Sequence, residues 1–207
     1  LAAEVADVVT VLSAKTIAKA ADVAVTITPT NDPATEITAL EANSIAKLAT
    51  GVVTATVADG SASYLNTTLK DAKATDVLKL TVIGTTATAA DLNALDGKTK
   101  EVITVKATKI EGTLADLNKV FVDVVTSEHF NVTTTTTNVN ITDKTVTADA
   151  VSKIGVAAGI AVVKATVTAD SAANLVDALE DTDVNALTLT VNGTTAKATN
   201  LNALNDL

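Results

Sequence analysis

The stretch Val77–Gly97, VLKLTVIGTTATAADLNALDG, decides how the rest of the chain is read. Leu78, Leu80 and Val82 are apolar on alternate positions, the period of a strand with one buried face. Gly84-Thr85-Thr86 then reads as a turn, and Ala89–Leu95 as a short helix. So short a helix is marginal in water because nucleation is costly. It must therefore pack Leu92 and Leu95 onto something beneath. The same order returns at Leu187–Leu207 as LTLTVNGTTAKATNLNALNDL.

Worn copies fill the space between. Apolar residues that open a Leu-Asn-Ala-Leu-like segment recur at Ile17, Ile37, Leu65, Leu92, Leu117, Val151, Leu175 and Leu201. Ahead of most of them an alternating apolar stretch ends, at Ile27, Val57, Val82, Val105, Ile141, Val167 and Val191. Each unit reads strand, turn, short helix, loop. The turns carry Ser, Thr, Asp, Asn or Gly, the residues that cap a helix start.

Strands joined by so long a connection run parallel, since a hairpin would return within a few residues. Units that resemble one another and cannot bury their faces alone stack on their neighbours. The expectation is an α/β repeat solenoid spanning residues 1–207 as a single unit. One wall is a parallel β-sheet, with short helices or turns on the other side, in about seven to eight coils. A mainly-β parallel solenoid, or an ordinary α/β domain with non-sequential strand order, is the alternative. The inward columns would be Val53/Ala55/Val57, Leu78/Leu80/Val82, Val163/Ala165/Val167 and their counterparts.

Composition narrows the chemistry. The net charge is −9 and every cation is a lysine, so no basic face offers itself to nucleic acid. There is no Cys, Trp or Met, and the only aromatics are Tyr64, Phe121 and Phe130. Disulfides and thiolate metal sites are excluded, and aliphatic side chains must fill the core. No apolar run reaches the length of a membrane span, so membrane insertion is not expected. The chain opens at Leu1 rather than Met, the sign of a processed form or of a piece of something longer.

One segment, at about 120–142, breaks the rhythm. Val120–Val125 looks like an extra strand, and the polar run Thr133–Thr137 delays the next unit. Phe121, Phe130 and the lone His129 lie here. Insertions in repeat arrays bulge from one face and often carry binding. These three residues are thus the candidates for adhesion, with a cell-surface polysaccharide as the ligand class left open.

Catalysis finds no support, because a single His without a nucleophile or clustered carboxylates assembles no known constellation. The protein is expected not to be an enzyme and to need no cofactor. Calcium is the one ion left open, with Asp32, Asp59, Asp91, Asp143 and Asp170 as candidate ligands. These aspartates also suit helix caps and turns. A column that is mostly Thr (Thr26, Thr56, Thr81, Thr104, Thr166, Thr190) invites an ice-binding reading. Lys79, Val102 and Lys164 in the neighbouring column break that array.

Neither end carries a polar capping unit, which repeat arrays need for solubility. Val8–Val11 reads as a strand, so that joining Leu207 to Leu1 would resemble the passage from one unit to the next. The expectation is head-to-tail stacking through Leu1, Val5, Val8 and Val9 at one end and Leu201, Leu204 and Leu207 at the other.

The phrases GTTATAADLNALDG, EGTLADLNKVF and NGTTAKATNLNALNDL resemble tandem repeats of very large secreted and cell-surface proteins, especially of cyanobacteria. The likeness runs from about Val23 onward and departs between Val120 and Thr142. It implies an extracellular or cell-surface component of a filament, sheath or surface layer, with a surface adhesin or calcium-dependent binding module as the alternative.

Overall fold

The computed structural model describes residues 5–14, 22–27, 36–123, 129–132, 138–159, 162–179 and 185–206. Its eleven strands are β1 (Val25–Thr26), β2 (Val53–Thr56), β3 (Val77–Lys79), β4 (Thr81–Val82), β5 (Ala87–Thr88), β6 (Ile103–Val105), β7 (Lys109–Gly112), β8 (Phe130–Val132), β9 (Asn138–Ile141), β10 (Val162–Thr166) and β11 (Asn185–Thr188). Its eight helices are α1 (Val5–Ser13), α2 (Ala39–Leu48), α3 (Ala62–Thr68), α4 (Ala89–Asp96), α5 (Leu114–Phe121), α6 (Ala148–Ala158), α7 (Ala172–Leu179) and α8 (Ala198–Asn205). The chain is mixed α/β with parallel sheets.

Three sheets form, ordered β1-β2-β3, β4-β6-β8 and β5-β7-β9-β10-β11. Every strand pair among the described residues is parallel. Within each sheet the strands follow the order of the chain, so each pairs with its equivalent from the next unit. The helices do the same, each packing on the next in sequence from α1 through α8. The alternating residues explain the strand layer: Val53, Ala55, Leu78, Leu80, Val82, Ile103, Val105, Val139, Val163 and Ala165 are all buried. Beneath them Leu65, Leu92, Leu95, Leu117, Val151, Ile154, Leu175 and Leu179 close the helix side. One continuous apolar cluster runs from Val8 to Leu179.

Helix starts are set by hydroxyl caps. Thr38, Ser61, Thr88, Thr113, Thr147 and Ser171 each accept, through the side-chain oxygen, from the backbone N–H three residues on. At Thr38 the bond is reciprocated, because Glu41 Oε2 accepts from the Thr38 N–H at 2.9 Å. Such caps satisfy donors that the helix itself leaves unpaired. After strand β4, Gly84 adopts φ +120°, and Gly193 adopts φ +109° at the equivalent place. The Gly-Thr-Thr turn therefore needs its glycine for the positive φ.

Three expectations are corrected. Val8–Val11 is helix α1, not a strand. Val5, Val8, Val9 and Leu12 share a helical spacing, and burial of Val8 and Leu12 beside α2 overrides the strand preference of valine. Val120 and Phe121 end helix α5 rather than open an extra strand. The cap at Thr113 and the apolar face Leu117/Val120/Phe121 carry that helix through, while residues 124–125 lie outside the described set. Ile37 forms a single parallel bridge to Val57, and α2 starts two residues later.

Candidate assembly surface

Polar side chains link one unit to the next at two places. The first lies along the helices. Asn66, fifth residue of α3, donates from Nδ2 to Asp91 Oδ1 at 2.9 Å, and Asp91 is the third residue of α4. Asn93, fifth residue of α4, donates in the same sense to the carbonyl of Asp116, third residue of α5, at 3.1 Å. Asp91 is held ready by Thr88, whose hydroxyl donates to Asp91 Oδ2 at 2.8 Å. Asn43 and Asp71 form a variant, with Asn43 Nδ2 donating to Asp71 Oδ2 and the Asp71 N–H donating to Asn43 Oδ1.

The second place is the corner before each opening strand. Thr50 Oγ1 accepts from the Val23 N–H, Asp76 Oδ1 from the Val53 N–H, and Thr99 Oγ1 from the Leu78 N–H. Asp76 and Thr99 are almost wholly buried. Each satisfies a strand donor of the preceding unit that would otherwise lie unpaired in the interior.

At the last unit this scheme stops. The tetrapeptide Leu-Asn-Ala-Leu occurs at residues 92–95 and again at 201–204. Leu92 and Leu95 are 0 % exposed, whereas Leu201 is 44 % exposed and Leu204 is half-buried. Asn93 has its partner on α5; the Asn202 side chain is exposed and has none among the described residues. Leu187 and Leu189 are half-buried and Val191 is 38 % exposed, in the column that is buried throughout the middle units. Helix α8 has no buried residue, and Lys197 at its start makes no capping bond. Strand β11 pairs only with β10, so one edge is open. Identical local sequence thus has different exposure, and the difference is whether a neighbour follows.

At the amino-terminal end Val8 is buried in the core cluster and Val5 and Val9 are half-buried against it. They form the inner face of α1 rather than the outer end, since the helix turns them all toward α2. Leu1 and Leu207 lie outside the described residues. On its outer side α1 exposes Asp7, the third residue of the helix, and Val11.

Phe121 and Phe130 are not presented outward: each is 9 % exposed and part of the core cluster. With Val120, Val132, Ala157 and Ala158 they line a cavity of about 270 Å³. Large rings fill the wider space that the longer unit leaves, which no strand pattern would show. His129 is half-buried, with Nδ1 2.6 Å from Asp96 Oδ1. It ties the start of its unit to the end of α4.

The aspartates weighed as calcium ligands have protein partners. Asp91 accepts from Asn66 and Thr88, Asp143 from the Leu114 N–H at 2.6 Å, and Asp170 from the Ser171 N–H and Asn174 Nδ2. Asp59 is exposed and Asp32 lies outside the described residues. Among the described residues no group of three or more His, Asp and Glu is placed to hold a metal ion. No described helix is long and apolar enough to cross a membrane.

Comparison with protein families, curated proteins and solved structures finds no match to this chain.

Proposed function

We propose that the chain is a structural protein, an α/β repeat solenoid that assembles end to end into a filament, sheath or surface layer. Seven units of strand and helix follow the lone helix α1. The observation that carries this reading is the paired fate of Leu-Asn-Ala-Leu, sealed at Leu92 and open at Leu201. An unpaired strand edge beside apolar side chains is a template for further pairing. A contact that repeats one surface against a different one, without closing, builds an open chain of copies.

Completing the burial of Leu201, Leu204 and Val191 contributes on the order of 3–5 kcal/mol. Association costs about 4–15 kcal/mol in lost freedom. Assembly therefore sets in above a threshold concentration rather than at any dilution. The acidic, lysine-only surface supports a partner other than nucleic acid. The resemblance to secreted surface repeats supports an extracellular or cell-surface location, and the core positions of Phe121 and Phe130 weigh against adhesion through exposed aromatics. On this reading the protein is not an enzyme.

Negative-stain electron microscopy of the untreated chain across a concentration series tests it. Filaments or sheets are expected above the threshold. A monodisperse monomer at every concentration by light scattering overturns it.

A further inference from the structure

Resting on that reading, we infer that the joint is helix to helix: α1 of a second copy of this chain seats on α8, and Asn202 donates to the second copy's Asp7 carboxylate. Inside the chain the rule is visible at Asn66 and Asp91, fifth residue of one helix to third residue of the next. Asn202 is the fifth residue of α8, and Asp7 is the third residue of α1. Both side chains are exposed, and neither has a partner among the described residues. One end of the molecule holds the unmatched donor and the other the unmatched acceptor.

The two layers at the amino-terminal end are out of step, and this selects the joint. Helix α1 lies ahead of α2, yet β1 pairs only with β2 and no described strand lies ahead of it. A copy that laid β1 directly on β11 would drive α1 into α8. A copy that seats α1 on α8 leaves β1 and β11 about two strand spacings apart, ~9.6 Å. The helix layer therefore continues across the joint, while the β11 edge gains no direct strand partner. Leu201 and Leu204 meet the incoming helix as Leu92 and Leu95 meet α5.

The test uses the full chain and reads the concentration at which half of it sediments as assembly. Asn202→Asp sets two carboxylates against each other and is expected to raise that concentration at least about tenfold, a change of ~1.4 kcal/mol. The double variant Asp7→Asn with Asn202→Asp exchanges donor and acceptor, and is expected to restore assembly to within about threefold of the wild type. Leu201→Asp removes apolar contact at the same end in any register and is expected to abolish assembly. Unchanged thermal midpoints confirm that the single chain is intact.

If Leu201→Asp blocks assembly but Asn202→Asp does not, or the exchange fails to restore it, the Asn202–Asp7 joint is wrong and end-to-end assembly stands. If the wild type never assembles, both are wrong.

Discussion

Asn66 Nδ2 donates to Asp91 Oδ1 at 2.9 Å, across 25 residues of sequence and between neighbouring helices. The same aspartate receives the Thr88 hydroxyl, so helix capping and unit-to-unit contact meet on one carboxylate. A hydrogen bond to a charged acceptor contributes about 1.5–3 kcal/mol, more than one between neutral groups. Asn66→Asp should therefore lower unfolding free energy by about 2 kcal/mol through the loss of the donor and the new repulsion. Urea titration followed by circular dichroism measures it, and a loss below about 0.5 kcal/mol would deny the contact any weight.

Leu92 and Leu201 occupy the same place in identical tetrapeptides, one sealed and one open. Leu92→Ala should cost about 2–5 kcal/mol, the range for a buried leucine. Leu201→Ala in the dilute monomer should cost under about 1 kcal/mol, as surface changes do. Equal losses at the two sites would contradict the open end.

Asp76 is buried with one oxygen accepting from the Val53 N–H and the other from the Lys73 N–H, both at 2.9 Å. Asp76→Ala leaves two interior donors without partners and should cost about 2–5 kcal/mol. Asp76→Asn keeps one acceptor and should cost less. The ranking of the two variants by thermal midpoint is the check.

Gly51 sits where one unit presses on the last. A Cβ there would lie 2.5 Å from the Asp22 carbonyl oxygen and 2.8 Å from the Ala24 nitrogen, both backbone atoms. Gly51→Ala must shift backbone and should destabilise by about 1–3 kcal/mol. At Gly97 the only near atom is the Ala94 oxygen at 3.5 Å, with φ −68°. Gly97→Ala should be neutral or stabilise by up to about 1 kcal/mol. Similar losses at both would refute the close approach at Gly51.

Lys109 Nζ lies 2.7 Å from Glu111 Oε2, and the hydrogen bond from Lys109 holds the Glu111 carboxyl below the usual glutamate range. A depressed folded value contributes stability that is present above the ordinary glutamate pKa of about 4.3 and lost as pH falls through the folded value. Both side chains are partly exposed, so the effect is small and fades with salt. Lys109→Ala should raise the Glu111 pKa toward its ordinary value in an NMR titration. A value that does not move would dismiss the pair.

The alternating triplets were legible because a strand period of two and buried aliphatic residues leave little else for Leu78, Leu80 and Val82 to do. The hydroxyl before each helix was legible for the same kind of reason, since Thr88 or Ser61 caps through its own near neighbours. Helix α1 was not. Its valines favour a strand locally, and only packing beside α2, more than 25 residues on, turns them helical. The places of Phe121 and Phe130 were hidden too, because a gap between units has no signature in either unit alone.

The sequence by itself determined the repeat: which residues alternate, which cap, and that strands so far apart run parallel. Those are local matters, decided by side-chain period and by the length of the connection. Which polar groups meet between units was decided only by the tertiary structure. Asn66 and Asp91 face each other because stacking brings the fifth residue of one helix beside the third of the next. The last unit repeats the wording of the others without their burial, because burial is supplied by a neighbour and not by the residue that is buried.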